Sequence, residues 1–300
     1  MDDEAERRRA PGAPVPRLMY GTAWKEDATE ALTARALASG FRAIDTANQR
    51  RHYFEAGVGA AVAAAVARGE VRRDELFLQT KFTYPRGQDH RLPYDPSAAA
   101  GDQVRQSFAS SLEHLRTEHV DSYILHGPER GTGLSAADRE VWGAMSELAA
   151  RGRTRHLGIS NVTAEQLASL CAFAAAGPAP AASGAVGRPA LVRPSFVQNR
   201  CYARTGWDHE VRAVCRREGI VYQGFSLLTA NRQILEHPTL LRVAARLDAT
   251  PAATVFRFAI DLGMLPLTGT TSPEHMRADL AVLEMPPLHD AERRASEALR

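Results

Sequence analysis

FRAIDTANQRRHYFEAGVG, residues 41–59, decides how the chain folds. An apolar run stops at an acid, Asp45; a tyrosine follows at Tyr53, and an Ala/Gly/Val-rich helical pattern begins directly after it. Two later runs stop in the same way, at Lys81 in LFLQTK and at His126 in DSYILH. Working outward, the unit repeats: RLMYGTA, RAIDTA (42–47), LFLQTKF (76–82), VDSYILHG (120–127), TRHLGIS (154–160), FVQNRC (196–201), VYQGFS (221–226) and LPLTGT (265–270) alternate with helical patterns. These runs are nearly continuous rather than alternating, as parallel strands covered on both faces are. Seven strands would suit a doubly wound open sheet. Eight, with ionisable residues at several strand ends, predict a single α/β domain, a closed (β/α)8 TIM barrel whose active site lies at the carboxyl ends of the strands.

Composition narrows the function. With 44% hydrophobic residues, 24% charged residues and a net charge of +2 over 300 residues, the chain supports a large core and lacks the basic run of a nucleic-acid or membrane binder. No apolar run reaches the ~20 residues of a membrane span, so a cytoplasmic protein with a small-molecule partner is expected. Cys171, Cys201 and Cys215 are odd in number and the histidines are scattered; free thiols and no metal are expected. Residues 1–16 read as a disordered leader, 17–288 as the barrel and 289–300 as a C-terminal tail. Segment 85–101 leaves the carboxyl end of the Lys81 strand, where it can cover a pocket, while 175–195, rich in Ala, Gly and Pro, reads as a disordered insertion. GVGAAV (57–62) imitates part of a dinucleotide fingerprint, yet it lies inside a helix and lacks the third glycine. A packing role is expected.

Singly, Asp45 can be a helix cap, Tyr53 a surface residue, Lys81 a solvated charge and His126 a core histidine. Together they differ. Charges at the ends of apolar strands need partners, and Asp45 with Lys81 supplies a pair whose cation can lower the pKa of a neighbouring phenol.

Five short motifs stand in order: IDTA (44–47), TK (80–81), VDSYILH (120–126), GISN (158–161) and VQN (197–199). In this the chain resembles the aldo/keto reductase superfamily, from about Met19 to Leu280. The resemblance implies an NAD(P)H-dependent reductase of small carbonyl compounds, with NADPH the implied cofactor and NADH open as an alternative. It implies that Tyr53 is the general acid, tuned by Lys81 and Asp45, and that His126 orients the carbonyl. Ser160, Asn161 and Gln198 would hold the nicotinamide carboxamide, and Phe225 would stack on the ring. Gly21, Thr22, Ser226 and Leu228 match cofactor-contacting positions, and Trp24 a pocket wall.

The chain also departs from the family pattern. The usual separation of Asp and Tyr is five residues, but here Tyr53 lies eight beyond Asp45, with Arg50 at the fifth place. His52 is a rival for the acid, although an imidazole substitutes poorly for a phenol beside a lysine. At the adenosine end, GTTSPEHMRAD puts Gly269 where relatives have Lys, Thr270 at the Ser, His275 at the phosphate-clamping Arg and Asp279 at the adenine-contacting Asn. Arg277 stands two residues on, so NADPH preference is expected to be modest. A catalytically slow, cofactor-binding regulatory subunit of the same fold is the alternative function; unrelated chemistry on a barrel is a third reading.

Overall fold

All eight apolar runs form strands in the computed structural model, which describes residues 13–177 and 190–300. They are β1 (Met19–Gly21), β2 (Ala43–Asp45), β3 (Phe77–Phe82), β4 (Val120–Leu125), β5 (Thr154–Ser160), β6 (Phe196–Arg200), β7 (Val221–Phe225) and β8 (Met264–Thr268). Each pairs in parallel with the next, and β8 returns to β1 with Leu267 opposite Met19, closing the barrel. Ten α-helices surround it among the described residues: α1 (Thr29–Ala38), α2 (Glu55–Ala67), α3 (Ala100–Leu115), α4 (Ala136–Ala150), α5 (Ala164–Ala176), α6 (His209–Glu218), α7 (Pro238–Arg246), α8 (Pro251–Asp261), α9 (Pro273–Ala281) and α10 (Asp290–Glu297). None is long and apolar enough to cross a membrane, and no described group of His, Cys, Asp or Glu is suited to a metal ion. The three cysteines are buried and unpaired.

The floor of the barrel is apolar: Ala13, Met19, Ala43, Phe77, Ile124, Phe196, Leu265 and Leu267 form one buried cluster. Side chains alternate along a strand, so the residue two places on from Met19, Ala43, Phe77, Ile124, Phe196 and Leu267 points inward one layer higher. Those residues are Gly21, Asp45, Gln79, His126, Gln198 and Gly269, and Lys81 lies one layer above Gln79. The inward files thus turn from apolar to polar toward the mouth. The interior is filled, since a Cβ at Gly158 would lie 2.7 Å from the Phe196 carbonyl oxygen.

Of the expected leader, residues 1–12 fall outside the described residues, while Ala13 packs into the floor. The expected insertion lies mostly outside them too, at 178–189. The stretch expected as a tail carries α10, docked by Arg212 on Glu297 at 2.8 Å and by the Trp207 indole N–H on the Ser296 carbonyl at 3.2 Å. GVGAAV lies within α2, where Gly59 meets α3: a Cβ would come within 2.7 Å of Leu115 Cα and closer still to the His114 carbonyl. Gly59→Ala should therefore destabilise the fold by about 1–3 kcal/mol in urea denaturation. Gly143→Ala, on the open face of α4 with nothing within 4 Å, should be neutral or stabilising. Equal effects would remove the packing account.

Candidate active site

Asp45 ends β2 and pairs in register with Gln79 of β3, which leaves Lys81 one step nearer the mouth. The Lys81 Nζ lies 2.7 Å from both Asp45 carboxylate oxygens and 2.7 Å from the Thr46 carbonyl. Three acceptors occupy all three N–H donors of the ammonium. Both side chains are buried, so each charge depends on the other. Asp45 Oδ1 also accepts from Gln79 Nε2 at 2.7 Å and from Gln198 Nε2 at 3.1 Å. Gln79 and Gln223 exchange amide bonds of 2.8 and 2.9 Å, and Gln198 Nε2 donates to Gln223 Oε1 at 3.0 Å. Because a carboxylate only accepts, this network sets the orientation of every amide in it. It leaves Gln198 Oε1 without a hydrogen-bond partner among the described residues. Gln79 and Gln223 escaped the sequence reading, although each is a polar residue inside an apolar run, two places before Lys81 or Phe225.

Tyr53 comes from a loop. The amides of His52 and Tyr53 both donate to the Gln49 carbonyl. Gln49 Nε2 reaches the Gly87 carbonyl at 2.6 Å and Asn48 Nδ2 the Ser107 carbonyl at 2.9 Å. So pinned, the longer loop brings the Tyr53 ring centroid to 5.0 Å from Lys81 Nζ and 5.8 Å from the His126 ring, edge to face. The rival His52 packs its ring against Trp24, with centroids 3.9 Å apart, and is near enough to His126 to help lower its pKa. Trp24 itself is 69% exposed, with a left-handed backbone.

The electrostatics correct one expectation. Lys81 does not lower the phenol: its donors are spent on Asp45 and Thr46, while burial and then the Asp45 charge push the Tyr53 pKa up. Tyr53 holds its proton. Burial, with Lys81 and His52 nearby, brings His126 down to about 3, so its imidazole is neutral at physiological pH. Its Nδ1 lies 2.7 Å from Thr83 Oγ1.

Around the mouth, Ser160 donates to the Gln198 carbonyl at 2.5 Å. Asn161, in the left-handed region that Asn tolerates, gives its amide N–H groups to the His126 carbonyl at 2.8 Å and to Ser160 Oγ at 3.1 Å. Thr22 donates to the Asp45 carbonyl at 2.9 Å, beside Gly21. Phe225 ends β7, half-buried, with the Arg200 guanidinium 5.5 Å from its ring. Ser226 follows with a left-handed backbone, and Leu228 is half-buried.

The segment after β8 is held by the first strand–helix unit. Successive carbonyls of Gly269, Thr270 and Thr271 accept from Lys25 Nζ (2.7 Å), the Tyr20 hydroxyl (3.0 Å) and Arg35 Nη1 (3.5 Å). A Cβ at Gly269 would lie 3.8 Å from Lys25 Nζ, so an ammonium from another element stands beside the position where the resemblance implies a lysine. Lys25 is 7% exposed, and burial brings its pKa down to about 8. Among the described residues neither Lys25 nor Arg35 pairs with a carboxylate, whereas exposed Arg277 pairs with Glu274 at 3.7 Å. His275 is exposed on α9. Asp279 is buried, accepts from Thr268 Oγ1 at 2.6 Å and is pushed up to about 6 by burial. No local sequence signal marks Lys25 or Arg35, which meet this loop across more than two hundred residues of chain.

The sequence profile of the aldo/keto reductase family matches residues 18–300. An aldo-keto reductase of Mycolicibacterium vanbaalenii is 29% identical over 271 residues, covering 90% of this chain and 83% of the relative. Aldo-keto reductase Rv2971 of Mycobacterium tuberculosis is 27% identical over 271 residues, covering 90% and 82%. A crystal structure of an aldo/keto reductase from Brucella melitensis superposes with a TM-score of 0.74 at 24% identity, covering 95% of each chain. That likeness concerns the fold.

Proposed function

The chain belongs to the aldo/keto reductase family, and from that premise we propose that it is an NADPH-dependent carbonyl reductase, reducing aldehydes or ketones reversibly to alcohols. One observation carries the reading: a phenol that keeps its proton, Tyr53, stands beside a neutral His126 and above the Asp45–Lys81 pair. The residues present fit the cofactor. Among the described residues Gln198 Oε1 is an open acceptor for a carboxamide N–H, Phe225 offers a ring face, and Lys25 is a nearly buried cation paired with no carboxylate. NADPH, when bound, supplies the hydride that reaches the carbonyl carbon. Tyr53, whose buried phenol keeps its proton until the carbonyl arrives, would give that proton to the carbonyl oxygen. His126, uncharged, orients the carbonyl without competing for that proton.

The test is a cofactor-fluorescence titration followed by a panel of aldehydes, ketones and sugars monitored at the reduced-nicotinamide absorbance. Tight NADPH binding with no member of the panel reduced would favour a cofactor-binding subunit instead.

Cofactor choice follows from the cations at the 269–271 loop. A charge-assisted contact is worth about 1.5–3 kcal/mol, so NADPH should bind about 10- to 100-fold more tightly than NADH. Arg35→Met should erase most of that ratio and Arg277→Ala should leave it. The opposite pattern of dissociation constants would return the phosphate to Arg277. NADPH affinity should also weaken as pH rises through about 8, where unliganded Lys25 loses its charge.

A further inference from the structure

We propose that Thr83 is a positioning residue that determines which nitrogen of His126 carries the proton, so that Nε2–H faces the substrate carbonyl. The inference rests on the reading of His126 as the group that orients that carbonyl. Thr83 directly follows β3 and is 5% exposed. Its hydroxyl oxygen lies 2.7 Å from His126 Nδ1, its one hydrogen-bond partner among the described residues.

The side chain has little freedom to turn elsewhere. The Thr83 carbonyl accepts from the Tyr94 hydroxyl at 2.6 Å and from Gln88 Nε2 at 3.4 Å. Its methyl packs where Gly87 has no Cβ; a Cβ there would lie 2.7 Å from Thr83 Cγ2. With carbonyl and methyl both held, the hydroxyl is left facing the imidazole. Segment 85–101, expected as a pocket cover, thus braces the residue behind the histidine.

Hydrogen accounting then selects the tautomer. If Nδ1 carried the proton, the Thr83 hydroxyl would accept it and its own hydrogen would be buried without an acceptor, a costly arrangement. If Thr83 donates, both groups are satisfied and the ring proton sits on Nε2. His126 Nε2 has no hydrogen bond to the described protein, so this N–H is open to a substrate oxygen. The His126 backbone is fixed as well, its N–H donating to the Phe82 carbonyl at 2.8 Å and its own carbonyl accepting from Asn161.

The experiment reads the tautomer directly. In the full chain labelled with nitrogen-15, two-bond imidazole correlations of His126, assigned by their loss in His126→Gln, should show a protonated Nε2 and an unprotonated Nδ1 between pH 6 and 9. Thr83→Val, nearly isosteric but without the hydroxyl, should shift that pattern toward mixed tautomers. It should lower kcat roughly tenfold with the KM for NADPH unchanged, and Thr83→Ser should restore both. A protonated Nδ1 in the wild type overturns the proposal whatever the activity, as does Thr83→Val with unaltered correlations and kcat. If no carbonyl compound is reduced but the correlations shift as stated, the proposed reaction fails and the assignment of Thr83 to the tautomer stands.

Discussion

Tyr53→Phe should lose at least ~100-fold in carbonyl turnover, the lower end of what general acid catalysis contributes, while NADPH binds with nearly its original affinity. The substitution removes one oxygen and keeps the ring that packs against His126 and over Lys81. His52→Ala should keep most of the turnover, because its imidazole lies against Trp24 at the rim. Single-turnover absorbance of bound reduced cofactor separates the two variants. An active Tyr53→Phe with an inactive His52→Ala would transfer the acid to the rival and undo the loop alignment. Because burial and Asp45 raise the Tyr53 pKa, reduction should hold steady through neutral and mildly alkaline pH, and alcohol oxidation, which needs the phenolate, should climb as pH increases.

Lys81→Met should cost both activity and stability. It leaves the Asp45 carboxylate buried with only the Gln79 and Gln198 amides as side-chain donors, and breaking a buried pair costs about 3–5 kcal/mol. Asp45→Asn in the same chain removes the stranded charge, so the double variant should regain most of the stability in urea denaturation and none of the turnover. That split separates the pair's structural role from its effect on Tyr53. A single Lys81→Met that is both active and stable would make the pair dispensable for turnover and for the fold.

The relation between the chain and its fold can be read strand by strand. LFLQTKF and VDSYILH each declare a buried strand with an ionisable end, since continuous apolar runs and their limits are local properties of sequence. Eight such runs, in order, define the barrel. Strand parity also puts Asp45, Lys81 and His126 on inward files, because the period of two is independent of what packs where. The tail at 289–300 was less legible: DAERRASEALR is mostly charged, and its helix is held by Arg212 and Trp207 from elsewhere in the chain.

What the sequence by itself determined is therefore the barrel, the polar mouth at its strand ends and the residue types gathered there. Tertiary structure alone decided how those groups are tuned. The donors of Lys81 are consumed by Asp45 and Thr46, so the phenol is raised instead of lowered. The longer loop folds back onto Gln49 and delivers Tyr53, not His52, to the lysine. Lys25 and Arg35 reach across to the loop that carries Gly269. The physical reason is common to all three: periodicity and burial are encoded by near neighbours, whereas hydrogen-bond saturation and desolvation depend on groups tens to hundreds of residues away, which meet only when the barrel closes.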